Sequence, residues 1–120
     1  MTLGIQQEDS GSDNSLRLQL IGSLDGDTAT ELDQYIDQHA APSINHIIYN
    51  MAQLDYISSA GLRSIFMSLK KMQAKGGKVA VVNRQPQIVK VFDIVKAIPD
   101  LQIFASWDEM DSYLNAMQTK

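Results

Sequence analysis

Three short, largely apolar runs alternate along the chain with segments whose apolar residues recur every three or four positions. The runs are Ile44 with His46-Ile47-Ile48-Tyr49-Asn50, then Lys78-Val79-Ala80-Val81-Val82, then Leu101 to Phe104. A strand, a helix and a further strand of one sheet form a crossover unit, and such units give parallel pairing with the strands covered by helices. The continuous apolar character of 46–50 fits a strand buried on both faces.

The intervening helices follow from the same spacing. After Gly22-Ser23-Leu24-Asp25-Gly26, the residues Ala29, Leu32, Ile36 and Ala40 share one helical face, and Pro42 marks the stop. A second helix starts at Ser58 or Ser59 and carries Leu62, Ile65, Phe66, Leu69 and Met72 to a stop at Gly76-Gly77. Its Lys70, Lys71 and Lys75 suit the negative end of the helix dipole. A third runs from about Pro86 through Ile88, Val91, Phe92 and Val95, with Pro99 beyond it. Ser106 can cap a fourth that contains Trp107, Met110, Tyr113, Leu114 and Met117.

Upstream, Leu3-Gly4-Ile5 and the alternating Leu16-Arg17-Leu18-Gln19-Leu20 flank the turn-forming stretch from Glu8 to Asn14, which reads as a hairpin with a long loop. The expected order is β-β-α-β-α-β-α-β-α. The fold class is α/β, a mixed and mostly parallel sheet with an N-terminal hairpin and about four helices. At 120 residues the expectation is one domain over 1–120, with no internal repeat.

Composition removes several function classes. The net charge of -4 and the lack of a basic block argue against nucleic-acid binding. With no cysteine there is no disulfide framework, thiolate metal site or thiol nucleophile. No apolar run approaches membrane-spanning length and the first residues lack a basic, then apolar, leader, so a cytoplasmic protein without a membrane role is expected. His39 and His46 fit no metal-ligand spacing. Asp25-Gly26-Asp27 lacks the later ligands of a calcium loop and reads as a turn into a helix. Ser58-Ser59-Ala60-Gly61 is not a nucleophile elbow, and Gly76-Gly77 is not a phosphate-binding loop. Neither catalysis nor a metal or cofactor is expected.

The segment Leu54-Asp55-Tyr56-Ile57-Ser58-Ser59-Ala60-Gly61-Leu62-Arg63 falls after a buried strand and opens a helix, at the sheet edge where α/β proteins build their sites. Two adjacent hydroxyls exceed what one cap requires, and neither is followed three residues later by Glu or Gln. No acidic residue occurs from Ser59 through Leu69, although acids favour the first turn. Gly61 lowers helix propensity yet admits close approach to the backbone. Open N–H donors, the dipole end and Arg63 one turn on describe an anion site that a phosphate attached to a serine there would fill.

These residues carry a resemblance. Gly22-Ser23-Leu24-Asp25, the run 46–50 with Leu54, Ile57-Ser58-Ser59-Ala60-Gly61-Leu62, Gly76-Gly77-Lys78-Val79 and Val89-Lys90-Val91-Phe92-Asp93 together resemble a STAS domain of the bacterial anti-sigma factor antagonists, over almost the whole chain. The resemblance implies a phosphorylatable interaction module. Its partners would be a serine kinase of the anti-sigma type with a histidine-kinase-like ATP fold, and a PP2C-type phosphatase that reverses the modification. Counting back from Gly61-Leu62, the acceptor is Ser59. Ser58 stands where many members have aspartate and is a second candidate acceptor, and Ala60 replaces their next hydroxyl residue. The implied partner surface comprises Asp25, Thr28, Ser58, Ser59, Gly61 and Arg63. Two alternatives stand beside it: a scaffold subunit of a transporter or signalling assembly in which the serines only cap, and a small hydrolase or nucleotide-binding enzyme, for which the sequence shows no activated base.

Overall fold

A computed structural model describes residues 2–8, 14–95 and 102–104. The elements are β1 (Leu3–Glu8), β2 (Ser15–Leu24), α1 (Ala29–His39), β3 (His46–Ile57), α2 (Ser59–Gln73), β4 (Lys78–Val82), α3 (Pro86–Val95) and β5 (Gln102–Phe104). They form one sheet in the order β1-β2-β3-β4-β5. β1 pairs antiparallel with β2, and every other neighbouring pair is parallel, as the alternation requires. The fourth helix expected from Ser106 lies outside the described residues, so three helices are seen.

Alternation along the strands divides the sheet into two faces. Leu16, Leu18 and Leu20 of β2, Ile47, Tyr49 and Met51 of β3 and Val79 and Val81 of β4 join one apolar cluster. The same cluster takes in Leu32 and Ile36 of α1, Leu62, Ile65, Leu69 and Met72 of α2 and Ile88 and Phe92 of α3, so all three helices cover this face. Ile48, Ala80 and Val82 point the other way and are buried as well, so the central strands are apolar on both sides. At the centre Tyr49 is fully buried, and its hydroxyl donates to Ser68 Oγ at 2.8 Å, which satisfies a polar group that would otherwise be costly there.

β3 is longer than the apolar run suggests. It continues from Asn50 to Ile57, so Leu54–Ile57 belong to the strand and do not follow it. The cause is irregular pairing. Gln19 faces Asn50 but Ile21 faces Gln53, and Gly22 faces Leu54 but Ser23 faces Tyr56, so β3 contains one extra residue at each of two places. Burial then falls on Met51, Leu54 and Ile57, every third residue, and the two-residue period of a strand is lost. β4 ends at Val82, opposite Asn50, so beyond that point β3 is paired through β2 alone.

Candidate functional site

β2 and β3 end side by side, with Leu24 opposite Ile57. From Leu24 the chain turns through Asp25–Thr28 into α1, and from Ile57 it passes through Ser58 into α2. The two exits are bonded directly, since Ser58 N–H donates to the Leu24 carbonyl at 2.9 Å. Parallel pairing thus brings the Asp25 turn and the Ser58–Ser59 helix start to one edge, as the sequence reading required.

The serines have different environments. Ser58 is the N-cap of α2, with φ -98° and ψ 176°, and its Oγ accepts from Gly61 N–H at 3.2 Å. Its carbonyl accepts from Leu62 N–H at 2.9 Å, so both of its oxygens serve the first turn. Ser59 is the first helical residue and is exposed. The N–H groups of Ser59 and Ala60 precede the first intrahelical bond and keep their donor capacity for solvent or an anion. No acidic side chain stands in this turn.

Gly61 has a different purpose from the one expected. It is buried, and a Cβ at this position would lie 2.6 Å from the Leu24 carbonyl oxygen, 2.8 Å from Leu24 Cγ and 2.9 Å from Ile57 Cγ1. The close approach that glycine permits is therefore made by the protein's own β2, not by an external anion, and it seats α2 against the strand ends.

The turn before α1 is a closed set of hydrogen bonds. Asp25 Oδ1 accepts from Asp27 N–H at 2.9 Å and Thr28 N–H at 3.1 Å, while the Thr28 hydroxyl donates to the Ser23 carbonyl at 2.8 Å and accepts from Asp25 N–H at 2.9 Å. Desolvation pushes the Asp25 carboxyl up, but the Thr28 and Asp27 N–H groups and the Thr28 hydroxyl outweigh it and hold its pKa below 3.8. Thr28 is 2% exposed, and its side chain fixes the Asp25 turn from beneath. Of the six expected surface residues, Ser59 and Arg63 are exposed, Asp25 and Ser58 are half-buried, and Thr28 and Gly61 are buried.

Sequence reasoning missed one feature beside this edge. Met67, 54% exposed, lies two turns after Ser59 in the row Ser59, Arg63, Met67, and it borders a cleft of about 200 Å³ between α1 and α2. Ile36, Ser64 and Ser68 form part of its lining, together with Asp33 and the ion pair of Lys71 with Asp37. The signal available was an apolar residue off the buried stripe of α2. The histidines do not meet: His39 stacks on Tyr35 with ring centroids 3.9 Å apart, and His46 opens β3. Among the described residues no group of three His, Asp or Glu side chains could hold a metal, and no helix is long and apolar enough to cross a membrane.

Comparison with known proteins gives a consistent relationship. A family model described as STAS domain matches residues 7–110. BtrV of Bordetella bronchiseptica, whose name assigns it to the anti-sigma factor antagonists, is 27% identical over 75 residues, 62% of this chain and 65% of its own length. Among solved structures, tm1081 of Thermotoga maritima superposes with a TM-score of 0.77 at 16% identity, covering 92% of this chain and 94% of that one. The anti-sigma factor antagonist SpoIIAA in its unphosphorylated form gives 0.67 at 18% identity over 96% and 98% of the two chains. Its phosphorylated form gives 0.61 at 21% over 92% and 99%. At these identities the solved structures establish the fold.

Proposed function

The chain belongs to the STAS domain family, and on that premise we propose that it is a phosphorylation-controlled interaction module of the anti-sigma factor antagonist type. The unmodified form binds a serine kinase of the anti-sigma type, with a histidine-kinase-like ATP fold, in the cytoplasm. Phosphorylation of Ser59 releases that partner, and a PP2C-type phosphatase restores binding.

One observation carries the choice of residue: the Ser58 hydroxyl is engaged as the cap by accepting from Gly61 N–H, whereas Ser59 is exposed at the next position with no acid in its turn. A phosphate on Ser58 would displace the cap. One on Ser59 would meet open N–H donors and the positive end of the dipole. The half-buried Asp25 and the exposed Arg63 frame the same edge and supply the surface that a partner would read. A phosphate adds about -1.5 to -2 charges, and bringing them into a close interface costs desolvation. A loss of about 3 kcal/mol already weakens binding by more than a hundredfold.

The test is intact-mass and fragment analysis after incubation with a kinase of this class. One phosphate is expected, on Ser59, absent from Ser59→Ala and removed by the phosphatase. Labelling confined to Ser58 would reassign the acceptor, and a protein that binds its partner without ever accepting phosphate would be the scaffold subunit.

A further inference from the structure

β3 runs on past the end of β4, and on that side no strand among the described residues pairs with it after Asn50. Exposed backbone groups on a strand edge ordinarily require a partner. Here the partners are side-chain amides. Asn50 Oδ1 accepts from Ala52 N–H at 3.0 Å and from Asn83 Nδ2 at 3.2 Å. Gln85 Nε2 donates to the carbonyls of Ala52 at 3.1 Å and Leu54 at 3.0 Å, and lies 3.4 Å from Asp55 Oδ1. Gln87 Nε2 donates to the Asp55 carbonyl at 3.2 Å and to Gln85 Oε1 at 3.1 Å. Asn83, with φ 61°, turns the chain away from the sheet after β4 and so leaves the edge to these groups.

Gln85 has a second attachment. Its carbonyl accepts from Ile88 and Val89 N–H at 2.9 and 3.0 Å, so its backbone starts α3 while its side chain grips β3. The oxygens around Nε2 are all acceptors, which fixes the orientation of the carboxamide. Three residues beyond Leu54, Ile57 faces Leu24, and Ser58 then bonds the Leu24 carbonyl and caps α2.

We propose that Gln85 is a positioning residue for the Ser59 helix start: from the head of α3, its carboxamide stands in for the missing strand and holds the end of β3 from which α2 begins. The part of this that concerns phosphorylation rests on the reading of Ser59 as the acceptor, whereas the positioning itself does not.

Amide hydrogen exchange on the full chain, comparing wild type with Gln85→Glu and Gln85→Ala, tests the positioning without any partner. Glu preserves shape but turns a donor toward three acceptor oxygens into a fourth acceptor. In Gln85→Glu the Ser58 and Gly61 amides should exchange at least about tenfold faster while those of Ile47 and Val81 keep their protection. In Gln85→Ala the same two amides should accelerate by a smaller factor, and this variant decides the matter if the Glu form does not fold. Unchanged Ser58 and Gly61 exchange would overturn the proposal, as would a uniform acceleration across β3 and β4, which marks general destabilisation. With a cognate kinase, kcat/KM for Ser59 should fall about fivefold in Gln85→Glu, since a displaced acceptor loses its alignment. Wild type that accepts no phosphate would refute the reading of Ser59 and leave the exchange result to judge Gln85.

Discussion

Ser58 N–H donates to the Leu24 carbonyl at 2.9 Å, and that bond joins the end of β3 to the end of β2 at the point where each strand gives way to its helix. The same carbonyl oxygen is the atom nearest to where a Gly61 side chain would begin. Strand exit, helix cap and helix packing therefore converge on one backbone group, which leaves the Ser59 helix start little freedom relative to the Asp25 turn.

Gly61→Ala tests this convergence. Alanine improves helix propensity by about 1 kcal/mol. Against that, its Cβ would sit 2.6 Å from a carbonyl already held by Ser58 and within 3 Å of Leu24 and Ile57 side-chain atoms. Overpacking of this kind costs about 1–3 kcal/mol or more, and a backbone oxygen cannot move aside as a side-chain tip can. The expected result is a net loss of about 1–2 kcal/mol in denaturant titration, with Tm lower by roughly 5 °C or more. An unchanged or raised Tm would mean that α2 moves outward without loss.

Ser58→Ala and Ser59→Ala should separate the cap from the acceptor. Removing the Ser58 hydroxyl leaves Gly61 N–H without its acceptor and should cost about 1 kcal/mol. Removing that of Ser59, exposed at the first helical position, should change stability by less than about 0.5 kcal/mol. Denaturant unfolding of the two variants checks both values. A larger loss at Ser59 would show that the hydroxyls have exchanged roles.

The order of elements was legible because each relied on local chemistry: helical periodicity in α1, α2 and α3, Pro86 at the start of α3, and an apolar run at 46–50. The edge on which Ser59 lies followed from the crossover rule. The end of β3 was hidden because its two extra residues move burial to every third position, a pattern that no single strand period reproduces. Thr28 was placed on the partner surface by the resemblance alone, and nothing in Asp25-Gly26-Asp27-Thr28 announces that the threonine folds beneath the aspartate. Gln85 gave no signal, since its partners at Ala52 and Leu54 are more than thirty residues away in sequence and are backbone groups, to which residue type is irrelevant.

His46 should make stability depend on pH. Desolvation, with the nearby charges of Lys78 and Arg17, lowers its pKa from 6.5 in the folded protein. The unfolded chain then binds more protons than the folded one between the folded pKa and 6.5. Stability from this group is complete above the unfolded value and declines as pH falls through that window. Thermal melts between about pH 7.5 and 5.5 should show wild type losing more Tm than His46→Gln. Parallel curves for the two proteins would remove His46 as the cause.

Phosphorylation of Ser59 should release the partner while leaving the fold intact. A negative group at the first turn interacts favourably with the helix dipole by about 0.3–1 kcal/mol when exposed. In a closed interface the same charge must be desolvated, so the effects on folding and binding have opposite signs. Ser59→Asp carries one charge and fewer acceptor oxygens than phosphoserine, so it should weaken binding less than authentic modification does. Calorimetric titration against the kinase should give the highest affinity for unmodified protein, a lower one for Ser59→Asp and the lowest for the phosphorylated form, with melting temperatures within a few degrees of one another. If the phosphorylated form melted far lower and lost affinity in proportion, the switch would operate by unfolding the α2 start, and the exposed position of Ser59 would not account for it.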